Sequence, residues 1–209
     1  MIQVRINPSL SERFPDIYLS SREKFVEVRQ SKNLEEHVSK IRNSINYTLE
    51  NIKDHPVVRA FRDFYWEIGI DPTKIRPASE ALVRRILSGS SLPEINNVVD
   101  AGNLASLETL IPIGIYDLDK IVGVPVLRFA KPGEEFIDIT GKVKKLEPYN
   151  IVLSDDVGII HIFPHRDSLR TMIDWDTRRV LIIGCGVKGV PRDLVEYAVD
   201  RVLHYLEIL

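Results

Sequence analysis

The spacing of apolar residues changes at Leu110, and this change limits the fold more than any other feature of the chain. Upstream, apolar residues recur every three or four positions. Leu34, Val38, Ile41, Ile45, Leu49 and Ile52 form one stripe, which predicts a helix over Ser31–Ile52. Asp54 and Pro56 read as the cap and first turn of a second helix, with Val57, Phe61, Phe64 and Ile68 on its buried face and Gly69 at its end. After the Pro-rich connection Gly69–Pro77, helices are expected over Ala78–Leu87, stopped by Gly89, and from Val98 to about Glu108.

Downstream, short apolar runs and period-two alternation take over. Strands are expected at Ile111–Tyr116, Val122–Ala130, Glu135–Ile139, Ile151–Ser154, Ile159–Phe163 and Val180–Ile183. Thr140–Lys142 and Asp155–Gly158 supply hairpin turns, and a helix over Pro191–Leu206 closes the chain. Near the N-terminus, Ile2–Ile6 and Phe14–Leu19 read as strands. Helices first and strands later argue for an α+β fold. At 209 residues and 44% hydrophobic content, one domain over 1–209 is expected. Its parts are an extension over 1–74, a central region over 75–185 and a closing segment over 190–209.

A net charge of -2 supplies no global field for nucleic acid, so DNA is not an expected partner and any RNA contact needs a local basic patch. The single Cys185 fits a reducing compartment. No apolar run approaches the ~18 residues of a membrane span, and the first residues lack a signal-peptide pattern, so a cytoplasmic protein is expected. No metal is expected either. The aspartates of the Asp117–Asp119 pair lack further ligands and read as a turn with Lys120 as counter-ion.

Gly184, Gly186 and Gly189 spell G-x-G-x-x-G after an apolar run, which raises a nucleotide-cofactor loop. No parallel strand follows, so the glycines read as a turn from an edge strand into the last helix, and no cofactor is expected. Cys185 reads as a buried thiol rather than a nucleophile, and His161, among isoleucines, as a core or edge-strand residue.

More informative is a run of polar residues inside apolar sequence. Asn96, Asn97, Asp100 and Asn103 punctuate "INNVVDAGN", and "YDLDK" follows over Tyr116–Lys120. Buried amides and carboxylates must find partners, so such residues fix backbone or line a pocket. With "PASEALVRR" (Pro77–Arg85), Arg128 and "PGEEF" from Pro132, this ordered series resembles the B3/B4 editing module of the phenylalanyl-tRNA synthetase β subunit. The resemblance covers roughly residues 75–185. It implies a three-layer architecture, a β-sandwich-like core flanked by helices, with the N-terminal helical part outside it. It also implies a freestanding form of the module, since no ATP-binding synthetase domain is present.

In that family the module hydrolyses tyrosine misattached to tRNA for phenylalanine. The implied pocket lies beside the helix that follows "NNVVD". Asn103 matches the family's pocket Asn. Gly102 stands where the family has Thr, Gly114 where it has His, and Ile183 near its Glu. A small-residue segment is replaced by Phe163–Thr177. There His165 is suited to act as base or donor, and Arg166 to hold a carboxylate or phosphate. Asp167 is suited to orient the histidine or bind an amino group, and Ser168 and Thr171 add hydroxyls. His165 and Asn103 are therefore the candidate catalytic residues. Arg166, Asp167, Ser168, Thr171, Gly114 and Glu80 are the candidate substrate contacts.

Candidate RNA contacts are Arg76, Arg84 and Arg85 with Lys74; Lys144 and Lys145 with Lys142; and Arg170, Arg178 and Arg179. Three functions stay open: a trans-editing deacylase that meets misacylated tRNA transiently, a module that binds tRNA or an aminoacyl-adenosine-like ligand without catalysis, and a cofactor enzyme using Gly184–Gly189.

Overall fold

The computed structural model describes residues 3–209. In chain order the elements are β1 (Arg5–Ile6), α1 (Pro8–Arg13), β2 (Tyr18–Phe25), α2 (Leu34–Ser44), α3 (Pro56–Glu67), α4 (Ala78–Leu87), α5 (Asn97–Thr109), β3 (Ile113–Asp117), β4 (Val126–Phe129), β5 (Glu135–Ile137), β6 (Val143–Lys145), β7 (Ile151–Ser154), β8 (Ile159–Ile162), β9 (Arg166–Asp167), β10 (Arg179–Gly186) and α6 (Arg192–Ile208). Single 3-10 turns occupy Ile52–Asp54, Leu118–Lys120 and Leu169–Thr171.

The fold is α+β with open sheets. One sheet has the order β1-β4-β7-β8-β9, a second the order β2-β10-β3, and β5 and β6 form a separate hairpin. Helices α5 and α6 pack on each other; α6 covers β2 and β10, and α5 covers β3. Across from the helices, the Tyr116 ring of β3 meets the His161 ring of β8 at 6.1 Å. The layers are therefore helices, three-stranded sheet and five-stranded sheet. Most of the core is one continuous apolar cluster running from Leu10 to Leu209. A smaller cluster, with Phe136, Leu146 and Val152, lies under the β5–β6 hairpin.

Turn chemistry sets the hairpins where the sequence places them. The Asp138 carboxylate accepts from the N–H groups of Thr140 and Lys142, and Gly141 takes φ +83°. The Asp155 carboxylate accepts from Val157 and Gly158.

Several boundaries differ from expectation. The N-terminal strand reduces to Arg5–Ile6, and Ile2 lies outside the described residues. The second strand is Tyr18–Phe25, not Phe14–Leu19. Helix α2 stops at Ser44, where the Ser44 hydroxyl donates back to the Ile41 carbonyl and Ile45 turns extended. Asp54 closes a 3-10 turn instead of capping α3, whose N-cap position is His55.

The glycine motif is also corrected. Strand β10 is the middle strand of its sheet, paired antiparallel to both β2 and β3, so the motif does not sit in a βαβ unit. Gly184 and Gly186 lie inside the strand. A Cβ on Gly184 would come within 2.8 Å of Val199 Cγ2, and one on Gly186 within 2.9 Å of Val195 Cγ2. These glycines let α6 lie close on the sheet. Only Gly189, at φ +86°, serves a turn.

Candidate functional site

The N-terminus of α5 is built by three of the four polar residues singled out in the sequence. The Asn96 side chain caps the helix by accepting from the N–H groups of Val98 and Val99. Asn97 accepts from the Arg29 N–H and donates to the Glu27 carbonyl, which ties β2's exit to the helix. The Asp100 carboxylate accepts from the Ser31 hydroxyl and the Ile95 N–H, while burial raises its pKa. Asn103 differs. Its amide makes no hydrogen bond among the described residues, and it faces a cavity of about 260 Å³.

That cavity lies beyond the free edge of β3. Its walls are Val99, Gly102 and Asn103 from α5, Ile113 and Ile115 from β3, Asp167 from β9, Met172 and Ile173 from the following loop, Ile95, and Ile139 of the β5–β6 turn. Gly102 lets this wall close up, because a Cβ there would come within 2.9 Å of Ile115 Cδ1. Asn103 and Asp167 are the polar residues in an otherwise aliphatic lining.

Asp167 is held from behind. Register in the β8–β9 hairpin sets His161 opposite Asp167, and His161 Nδ1 lies 2.8 Å from Asp167 Oδ1. A carboxylate only accepts, so Nδ1 carries the hydrogen. The Tyr116 phenol lies near the same carboxylate; burial first, and the Asp167 charge next, push its pKa well above 10. Tyr116 folds back over Gly114, where any Cβ would fall inside contact distance of its hydroxyl. The phenol thus takes the space a side chain at 114 would need. Gly114 is buried and does not line the cavity.

His165 lies elsewhere. It lines a groove with Lys74, Lys144, Lys145 and Tyr149, and its ring packs edge-on against Tyr65 at 6.0 Å. Burial, then the charge interactions with His161, Lys144 and Arg166, lower its pKa to about 3. The structure therefore does not bring His165 and Asn103 together, and an imidazole of that pKa is a weak proton acceptor. Arg166 donates to Asp138, the Ser168 hydroxyl caps the Leu169–Thr171 turn, and Thr171 is fully buried.

Glu80 is fully buried, its carboxylate 2.8 Å from Arg62 and 2.7 Å from Arg84, so it holds α3 to α4 rather than touching a ligand. Arg84 is spent on that pair and on the Leu49 carbonyl. Arg170 is spent on Asp155. Arg76, Arg85, Lys144 and Lys145 stay exposed. Asp117 caps its turn and receives Thr177 Oγ1 and Lys120. Among the described residues no cluster of His, Cys, Asp and Glu is arranged to hold a metal, and no helix is long and apolar enough to cross a membrane. Cys185 is buried, its pKa raised by desolvation.

Sequence reasoning missed the roles of Tyr116 and His161. The signal was the Phe163–Pro164 turn, which makes a hairpin that sets His161 across from Asp167.

The family model of the B3/4 domain matches residues 60–209. The chain belongs to the B3/4 domain family. Similar curated proteins are phenylalanine–tRNA ligase β subunits. That of Anaeromyxobacter dehalogenans is 38% identical over 87 residues, 41% of this chain and 11% of that protein. That of Bartonella henselae is 33% identical over 105 residues, 50% of this chain and 13% of that protein. That of Mycoplasma genitalium is 28% identical over 121 residues, 57% of this chain and 15% of that protein. The chain thus spans only a small part of these relatives. An N-terminal fragment of the phenylalanyl-tRNA synthetase β subunit from Pyrococcus horikoshii shares the fold, with TM-score 0.52 and 14% identity, over 98% of this chain and 48% of that one.

Proposed function

We propose that this B3/4 domain hydrolyses the ester of an aminoacyl-tRNA in the cavity between α5 and β3. The observation that carries the reading is Asn103: one amide left free beside Asn96, Asn97 and Asp100, which are all bonded at the N-terminus of the helix, and facing an amino-acid-sized cavity. A half-buried amide with no protein partner among the described residues keeps its donors and acceptor available to a ligand in the cavity.

In this reading the aminoacyl group enters the cavity and the terminal ribose stays at its mouth. The Asn103 amide donates to the carbonyl oxygen as negative charge develops there. Water attacks the carbonyl carbon, the bond to the ribose oxygen breaks, and that oxygen takes the proton. The free amino acid and uncharged tRNA leave. The neighbouring ribose hydroxyl relays the proton, so no covalent nucleophile is needed and His165 has no part. Exposed Arg76, Arg85, Lys144 and Lys145 supply sequence-independent phosphate contacts. The protein acts in the compartment where tRNA is charged and takes no cofactor.

The test is loss of ester from a panel of correctly and wrongly charged tRNAs. At least one is expected to be hydrolysed faster than in buffer, and N103A to slow it by roughly 10²-fold or more, as loss of an oxyanion donor does. Hydrolysis of none above buffer overturns the reading. A second reading, ligand binding without catalysis, is favoured by Gly114, whose place over the sheet is filled by the Tyr116 phenol. It predicts saturable binding of a charged tRNA whose ester survives.

A further inference from the structure

Asp167 is a carboxylate with one side-chain donor, His161 Nδ1, behind it and no lysine or arginine in front. His161 Nδ1 fixes its orientation from inside the protein, and the Tyr116 ring packs against the His161 ring, both on buried side chains. Its side chain keeps 42% of its exposure, on the wall of the α5–β3 cavity. The neighbouring Arg166 points away and is occupied by Asp138 at 2.9 Å. Among the described residues no lysine or arginine pairs with Asp167. A carboxylate on the wall of an otherwise apolar cavity, with no lysine or arginine paired to it, is matched most strongly by a cation that enters with the ligand.

The rest of the lining says what that cation is attached to. Ile95, Val99, Ile113, Ile115, Met172 and Ile173 offer no donor or acceptor from their side chains. A hydroxyl or phenol seated among them loses its bonds to water and gains none. The volume, about 260 Å³, is just under the about 300 Å³ at which pockets for drug-sized molecules begin. It holds one small group, with the nucleoside left outside. A short aliphatic side chain next to an ammonium describes an aliphatic α-amino acid.

Resting on the deacylase reading above, we propose that the substrate is a tRNA ester of an aliphatic amino acid, its free α-ammonium bound by Asp167. Asn103 faces the carbonyl, Asp167 the ammonium, and the isoleucines the side chain. Asp167 acts as a specificity residue, because its charge sits on the side of the α-amino group. His161 positions it.

The experiment uses the whole chain with four esters: isoleucyl-, threonyl- and tyrosyl-tRNA, and N-acetyl-isoleucyl-tRNA, which keeps the side chain and loses the positive charge. Each rate is corrected for spontaneous loss in buffer. Isoleucyl-tRNA is expected to be hydrolysed at least tenfold faster than each of the other three; about 10² is typical where a hydrophobic pocket rejects an added hydroxyl. D167N, checked for an unchanged melting profile, is expected to lose the preference for the free over the acetylated ester. The substrate arms stand without the variant should D167N fail to fold.

Hydrolysis that ignores acetylation overturns the role of Asp167, and equal rates on tyrosyl- or threonyl-tRNA overturn the aliphatic class. Both results leave the deacylase reading intact. Failure on every ester, with the panel above also silent, removes both.

Discussion

At the scale of single residues, the site depends on one side chain filling the space another position leaves empty. The Tyr116 hydroxyl occupies the position a Cβ at residue 114 would need, and Tyr116 is only 2% exposed, so it has little room to retreat. G114A is therefore expected to destabilise the protein by about 1–3 kcal/mol, as overpacking does. Combining it with Y116L, which clears the ring, is expected to cost less than the sum of the two single changes. Urea melts of the four proteins in this cycle test the coupling, and strict additivity would show that the two positions do not compete.

His165 carries a prediction about pH. Its pKa falls from 6.5 to about 3 on folding, so between those values the unfolded chain binds the proton and the folded one does not. Stability from this residue is complete above pH 6.5 and drains as pH falls toward 3. The slope reaches at most about 1.4 kcal/mol per pH unit. His37 and His55 shift the same way through burial, so the measure is the difference between wild type and H165Q. Wild type is expected to lose more stability than H165Q between pH 7 and 5; parallel losses would show that His165 takes up its proton freely in the fold.

The site was partly legible at this scale. Asn103 stood out because a polar residue in apolar sequence must be explained, and Asp167 because charged residues replace the family's small-residue segment there. Glu80 and Arg84 misled, because a buried ion pair between helices looks in sequence like two surface charges. His165 misled because its neighbour in space, Tyr65, lies a hundred residues away in the chain.

At the scale of elements, the contact between α6 and β10 is the tightest constraint the glycines reveal. Gly184 has no need of glycine's backbone freedom; a Cβ there meets Val199 Cγ2 at 2.8 Å and the Val195 carbonyl at 3.1 Å. The helix backbone cannot give way as a flexible side chain would. G184A is expected to cost about 1–3 kcal/mol by the same overpacking. G133A, at an open turn with φ +75° and nothing within 4 Å, is expected to cost only backbone strain, about 1–2 kcal/mol. Urea midpoints and the response to a second, cavity-making change separate the two: V199A is expected to rescue G184A and not G133A.

Helices α3 to α6 were readable from helical apolar spacing and from the Gly and Pro at their ends, although Asp54, expected to cap α3, closes a 3-10 turn instead. Strand β2 was hidden because its sequence, "YLSSREKF", is mostly polar. It is held by its backbone ladder to β10, and of its residues only Ser20 is fully buried. Helix α2 was overread because Ile45 and Ile52 continue its stripe in sequence. The chain instead leaves the helix, and Asn51 turns it by accepting from the Thr48 N–H. Helix α1 left a readable signal, Asn7 as cap with Pro8 in the first turn.

At the scale of the whole molecule, the family match begins at residue 60, yet the fold does not. Residues 18–25 form β2 and pair with all eight residues of β10, the strand at the centre of the smaller sheet. Removing them opens a long edge on an apolar strand and uncovers one flank of α6, which packs on β2 as well as β10. The apolar cluster likewise draws on Leu10, Ile17, Leu34 and Val38. A fragment over 60–209 is therefore expected to unfold without a cooperative transition or to aggregate, whereas the full chain melts as a single unit. A fragment over 75–185, which also lacks α6, is expected to fare worse. Circular dichroism through a urea gradient, with sedimentation to detect aggregates, distinguishes these outcomes. A 60–209 fragment that unfolds cooperatively at the full chain's midpoint would make the N-terminal part an appendage. The expected result makes it a wall of the same domain, because Asn97 anchors the α5 cap, and with it Asn103, to the backbone of Glu27 and Arg29.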